Sequence, residues 1–156
     1  MMKNHRGNLD QLRMLREDPT LVPTAIEELL RYESPIQYTA RLAPDDMVIG
    51  GQTIRKRQAV MAVIGAANRD PERFSDPDRL DIHRAENRHL AFGWAAHFCF
   101  GAPLARIEGQ IAFEALLSLP NLALAPTPLV WQDNHGFRGL KGLHVTFGDA
   151  RLRGES

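Results

Sequence analysis

Residues 89–108, HLAFGWAAHFCFGAPLARIE, restrict this chain more than any other stretch, and they carry its single cysteine. Cys99 lies between Phe98 and Phe100, behind a Gly/Ala-rich run, with Gly101 and Pro103 just after it. Pro103 suits the first turn of a helix. Leu104, Ile107, Ile111, Leu116 and Leu119, with Ala112 and Ala115, then outline a broad apolar face, so a buried helix is expected, closed by Pro120. At a helix start, unpaired N–H groups and the helix dipole favour an anion and lower a thiol pKa. Gly101 lets the backbone turn closely, so the amides of Phe100, Gly101 and Ala102 are expected to face the sulfur. Phe92, Trp94, Phe98 and Phe100 make the surroundings apolar, and His97 offers a donor.

Three readings of Cys99 compete. A lone cysteine is most often a small buried hydrophobe. A phosphate-binding thiolate would pair it with Arg106, but Phe100, Leu104 and the amide-less Pro103 lie between and suit a phosphate poorly. The third is a thiolate ligand to haem iron, which needs an apolar slot, an anionic sulfur and polar donors at the rim.

Upstream, Leu9, Leu12 and Leu15 form a narrow helical stripe, with Asn8 and Gln11 as a capping pair and Asp18-Pro19 as the stop. A second helix is expected from Thr24, capped by a T-x-x-E box with Glu27, and ending near Ser34-Pro35. YTARL, MVI, QTI and AVMAV (residues 38–63) are strand-like, with Pro44-Asp45-Asp46 and Gly50-Gly51 as turns, and predict a small antiparallel sheet. Residues 65–68 suggest a helical turn. Residues 68–89 hold two Asp-Pro pairs and eleven charged residues without a period. Such a long irregular stretch is either functional or disordered. The tail, with LALAP and FRGLKGLHVTF, predicts strands in hairpins.

No repeat or linker divides the chain, so residues 1–156 are taken as one region of α+β class, mainly helical with small antiparallel sheets, and 149–156 as a loose tail. Lys plus Arg and Asp plus Glu number 19 each, which gives no electrostatic case for a nucleic-acid or acidic-lipid partner. No apolar run is long enough for a bilayer. The polar N-terminus lacks a signal-peptide core, and one cysteine cannot form an internal disulfide, so a cytoplasmic protein is expected.

HLAFGWAAHFCFGAPLAR resembles the haem-binding loop of the cytochrome P450 family, whose soluble bacterial members show F-G-x-G-x-H-x-C-x-G followed by a helix with L-A-R. Phe92, Gly93, His97, Cys99, Gly101 and the Leu104-Ala105-Arg106 run fall in place. AIEELLRY supplies Glu28-x-x-Arg31, resembling the family's E-x-x-R helix. ANRDPERFSDPDRLDIHR resembles the irregular segment before the loop, with Arg79 and Arg84 as candidate second partners for Glu28, Arg84 being favoured. FRGLKGLHVTF resembles the C-terminal hairpin, so the likeness runs over about residues 8–148.

The resemblance implies the C-terminal part of the cytochrome P450 fold and haem b held by the Cys99 thiolate, the proximal metal ligand. It implies that His97 and Arg41 hold haem propionates, the lesser alternative for Arg41 being a strand-edge surface charge. Phe92, Gly93, Phe100, Gly101 and Ala105 would line the cofactor, and Ile36 to Thr39 would skirt the substrate pocket. Glu28, Arg31, Arg79 and Arg84 would be structural. Ala95 and Arg57 stand where the family usually has glycine, and a positive φ at Ala95 would be strained. Family members are far longer, and their distal helix with A-G-x-[DE]-[ST] has no counterpart in residues 1–22. Two functions are therefore expected in competition. One is a fragment of a haem-thiolate monooxygenase that oxidises a small organic substrate with a ferredoxin-type electron donor and a separate N-terminal half. The other is a truncated, inactive haem-binding or relic protein.

Overall fold

A computed structural model describes residues 8–148, so the tail expected at 149–156 lies outside the described residues. Helix α1 (Leu9–Glu17) ends at Asp18, whose carboxylate accepts the Thr20 amide and caps a 3₁₀ turn, Pro19–Leu21. The Asn8–Gln11 cap is not made. Gln11 is instead buried, and its Oε1 accepts the Ile82 amide at 3.0 Å, a tertiary partner that a capping role would forfeit.

Helix α2 (Val22–Tyr32) starts two residues earlier than the sequence suggests, because Pro23 fits the first turn. Thr24 therefore sits inside the helix, and its hydroxyl donates back to the Leu21 carbonyl instead of forming a capping box. Val22, Ala25 and Ile26 of α2 build the apolar core with Leu15 and Ile82, and Phe113 and Leu117 pack against it.

Strands β1 (Thr39–Leu42), β2 (Met47–Ile49), β3 (Gln52–Ile54) and β4 (Ala59–Ala62) form two separate ladders rather than the single sheet expected. β2 pairs β3 through Gly50 and Gly51, both at positive φ, the backbone a two-residue hairpin requires. β1 pairs β4 outside that hairpin, with Arg41 opposite Val60. Arg57 adopts φ 68°, a left-handed backbone, where its amide donates to the Ala43 carbonyl. Helix α3 (Ile64–Ala67) is a single turn.

The segment 68–89 is neither helix nor strand, yet it is held. The guanidinium of Arg31 donates to the carbonyls of Asn68, Pro77 and Arg79 at 2.8, 2.9 and 3.2 Å. A buried arginine has five N–H donors to satisfy, and an irregular backbone has free carbonyls, so each meets the other's need.

Helix α4 (Ala102–Leu117) follows the cysteine loop, with Pro103 in its first turn. Its expected burial does not occur within this chain. Only Ala102 is buried, while Leu104, Ile107 and Ile111 are each more than half exposed. α4 meets α2 at Gly109, where an added Cβ would lie 3.4 Å from Ile26 Cδ1, an ordinary contact. Strands β5 (Ala123–Leu124) and β6 (Val145–Thr146) close a third ladder. Among the described residues no helix is long and apolar enough to cross a membrane.

Candidate functional site

Cys99 is exposed, which removes the core-thiol reading. A 3₁₀ turn (Ala95–His97) precedes it, and the Phe92 carbonyl accepts its amide at 2.8 Å. The fold back from 99 to 92 depends on Gly93, at φ 77°. A Cβ on Gly93 would stand 2.8 Å from the His97 carbonyl oxygen, closer than real side chains come. Ala95 takes φ 50°, a left-handed backbone that costs a residue with a Cβ about 1 kcal/mol. The strain expected at this non-glycine position is therefore present.

The amides after Cys99 do not all face its sulfur. The Ala102 amide donates to the Cys99 carbonyl at 3.1 Å, because the first turn of α4 recruits it. The thiol accepts no hydrogen bond among the described residues. Gly101 lies beside the sulfur, a Cβ there being 3.7 Å from Sγ, so ordinary clearance remains. Trp94, Phe98 and Phe100 are exposed, Phe100 completely. His97 ends the 3₁₀ turn, exposed, with no side-chain partner among the described residues. Arg41 is exposed on β1 and engages Thr39 Oγ1 and the Ala40 carbonyl through Nη1, which leaves Nε and Nη2 open. Ala105 is an exposed residue of α4, its amide bonded to the Gly101 carbonyl.

Glu28 lies at the centre of a second arrangement, with no solvent exposure. Arg31 binds it in a two-pronged ion pair, at 2.8 Å for each contact. Arg84 Nε adds 3.1 Å, Asn87 Nδ2 3.1 Å and the Asp81 amide 2.9 Å. Of the two candidate second arginines, Arg84 reaches the carboxylate. Arg79 contributes its carbonyl, which accepts from Arg31 and Arg84, and its exposed side chain stays outside.

Three residues of a third cluster went unassigned to any site in the sequence. Glu27, one residue before Glu28, accepts Arg106 Nε and Nη2 at 2.7 and 2.8 Å and contacts His89 Nε2 at 3.2 Å. The Ala91 amide donates to His89 Nδ1, so Nε2 carries the proton and donates to Glu27. Burial pushes His89 below its usual 6.5, against the opposing pull of Glu27. Burial also works to raise Glu27, but the hydrogen bonds and charge of Arg106, with His89, outweigh it and hold the carboxyl below the usual range. Hydrogen bonding to Glu27 raises Arg106. The Arg106 guanidinium in turn lies 4.7 Å from the Phe92 ring centroid, and the His89 ring lies 6.2 Å from it. The signal available in the sequence was the adjacent acidic pair, Glu27-Glu28, on a helix with only one arginine in reach.

The family model for cytochrome P450 matches residues 8–136. The chain belongs to the cytochrome P450 family. It is 51% identical over 139 residues to the biotin biosynthesis cytochrome P450 of Bacillus subtilis (strain 168), a match that covers 88% of this chain and 35% of that protein. It is 47% identical to the cytochrome P450 monooxygenase PikC of Streptomyces venezuelae, covering 93% and 36%. Among solved structures, P450BioI in complex with hexadec-9Z-enoic acid ligated acyl carrier protein superposes with a TM-score of 0.86 at 51% identity, covering 89% of this chain and 36% of that one. The chain thus spans about a third of the length of these cytochromes P450, and its helices and small antiparallel ladders are a part of their fold. The family implies a haem cofactor.

The residues present fit such a group. A thiolate-bound haem needs an accessible sulfur, an apolar flank and a polar donor at its rim. One exposed thiol on a preformed loop, an open apolar flank, and an unengaged imidazole meet that requirement.

Proposed function

We propose that this chain is the haem-thiolate portion of a cytochrome P450 monooxygenase, with Cys99 as the iron ligand of haem b. The observation that carries the reading is the exposed Cys99 on a loop whose reversal only a glycine at 93 permits. Haem, when bound through a thiolate, supplies iron made electron-rich enough to favour O–O cleavage. The chain's own residues hold the sulfur exposed just before the start of α4. Phe98, Phe100 and Leu104 offer an exposed apolar flank that would exclude water once the cofactor covers it. His97 and the free nitrogens of Arg41 offer donors for propionates.

The exposed apolar face of α4 supports a complementing polypeptide that carries the rest of the fold. With it, the assembly would insert oxygen into a small organic substrate, fed by a ferredoxin-type electron donor in the cytoplasm. Coverage of only about a third of each relative favours the second reading for the isolated chain, that it binds haem without turnover.

Titration of the purified chain with haem, followed by reduction and carbon monoxide, tests the ligand. A thiolate-type difference spectrum that disappears in Cys99→Ser is the expected result. Its persistence in Cys99→Ser, or its absence from the parent chain at saturating haem, overturns the assignment of Cys99. Activity restored by adding the remaining portion of a related cytochrome P450 would decide between the two readings.

A further inference from the structure

Both ends of the cysteine loop meet on one carboxylate. His89 precedes the loop and Arg106 follows it, seventeen residues later, and both bind Glu27 of α2. Between them the Phe92 ring lies against Arg106 and His89, and the Phe92 carbonyl takes the Cys99 amide. We propose that Glu27, His89 and Arg106 are positioning residues that close the cysteine loop on α2 and, through Phe92, fix where the Cys99 backbone stands.

The chemistry of each group suits the role. The planar fork of Arg106 fixes both distance and orientation to a carboxylate, which a lysine would not. Its flat face remains available for the Phe92 ring. The His89 tautomer is set by the Ala91 amide at Nδ1, so its single donor is aimed at Glu27. The next residue adds a separate tether, for the Leu90 amide donates to Oδ1 of the buried Asn68 at 2.7 Å. Among the described residues the side-chain partners of Glu27 are His89 and Arg106, and the apolar core under α2 is built by Val22, Ala25 and Ile26.

The consequence for ligation rests on the haem-thiolate reading, whereas loop closure does not, so the two are measured apart. Amide hydrogen exchange on the haem-free chain reads the closure at the Cys99 amide. In Glu27→Gln that amide is expected to exchange about tenfold faster, with α1 and the Ile26 end of α2 unchanged. Arg106→Lys, which keeps the charge and loses the fork, is expected to give a smaller acceleration at the same site. Glu33→Gln, which removes a carboxylate paired with Arg138 just past the same helix, is expected to leave the loop as it was. Unchanged exchange at Cys99 in Glu27→Gln overturns the proposal. So does an acceleration spread evenly over α1 and α2, or one reproduced by Glu33→Gln. In the haem-loaded chain, Glu27→Gln is expected to convert part of the thiolate-type carbon monoxide spectrum to the thiol type. If exchange responds and haem does not bind at all, closure stands and the ligand assignment falls.

Discussion

Glu28 and Arg31 have no solvent exposure, whereas Phe100 is fully exposed and Ile111 is 61% exposed. The region around α2 and the flank of α4 thus invert the usual division, with charge inside and apolar surface outside. Each is intelligible by what it holds. The Glu28 cluster fastens a 22-residue irregular segment that has no ladder of its own, which apolar contacts alone would leave with unpaired carbonyls. The α4 flank fastens nothing among the described residues and remains open beside Cys99. One region is a completed interior and the other is an apolar flank left open among the described residues.

The strongest way to break that contrast is to remove a charge from the completed side. Glu28→Gln leaves two guanidinium groups on a neutral amide, and a loss of about 3–5 kcal/mol is expected from denaturant unfolding. A loss under about 1 kcal/mol would place the cluster among ordinary surface pairs. Arg79→Ala, whose side chain lies outside the cluster, should stay within about 0.5 kcal/mol.

A paired truncation sharpens the comparison at equal chemistry. Ile26→Ala should cost about 2–4 kcal/mol, and Ile111→Ala no more than about 0.5 kcal/mol in the same chain. Equal costs would mean that the α4 flank is already covered, as by self-association, which sedimentation would reveal.

Smaller still is the relief of strain in the cysteine loop. Ala95→Gly should raise stability by about 0.5–1 kcal/mol, because glycine accepts φ 50° without a Cβ clash but loses more chain entropy. A fall in the thermal midpoint would show that the Ala95 side chain contributes more than its backbone costs.

Protonation is the gentlest perturbation. His89 is neutral in the fold and held below 6.5, so the unfolded chain takes up a proton there first and stability falls as pH drops below about 6.5. Glu27 is also held below its ordinary 4.5, so its contribution is complete above that value and is lost as pH falls further. Midpoints measured against pH should decline in two stages, and His89→Gln should remove the upper one. An unchanged upper stage in that variant would refute its assignment to His89.

Much of this layout was legible in the sequence, and the exceptions share a cause. The helices announced themselves through leucine spacing and through Pro and Asp-Pro punctuation, and the β2–β3 hairpin through Gly50-Gly51. Strain at Ala95 was legible through the resemblance, because the family usually has glycine there. Gln11, Thr24 and Glu27 were misread as caps. A capping motif is a local option, and Gln11 and Glu27 found tertiary partners at Ile82 and Arg106 instead. The exposure of α4 was illegible for a different reason. Periodicity reveals that a face is apolar, not whether its partner belongs to the same chain. Arg84, which the family resemblance favours over Arg79, is the arginine that reaches Glu28.

The composition of the interior bears on temperature. Of the largest fully buried side chains, Arg31, Glu28, Val22, Asn68 and Ser34, only the valine is apolar. Exposing polar groups on unfolding lowers the heat-capacity change, whereas exposing apolar groups raises it. The Glu28 cluster therefore adds less to the heat-capacity change than the apolar core of Leu15, Val22, Ala25, Ile26 and Ile82 beside it. Heating also weakens the hydration that competes for buried ions, so the fastening of residues 68–89 is least threatened where apolar cores begin to fail.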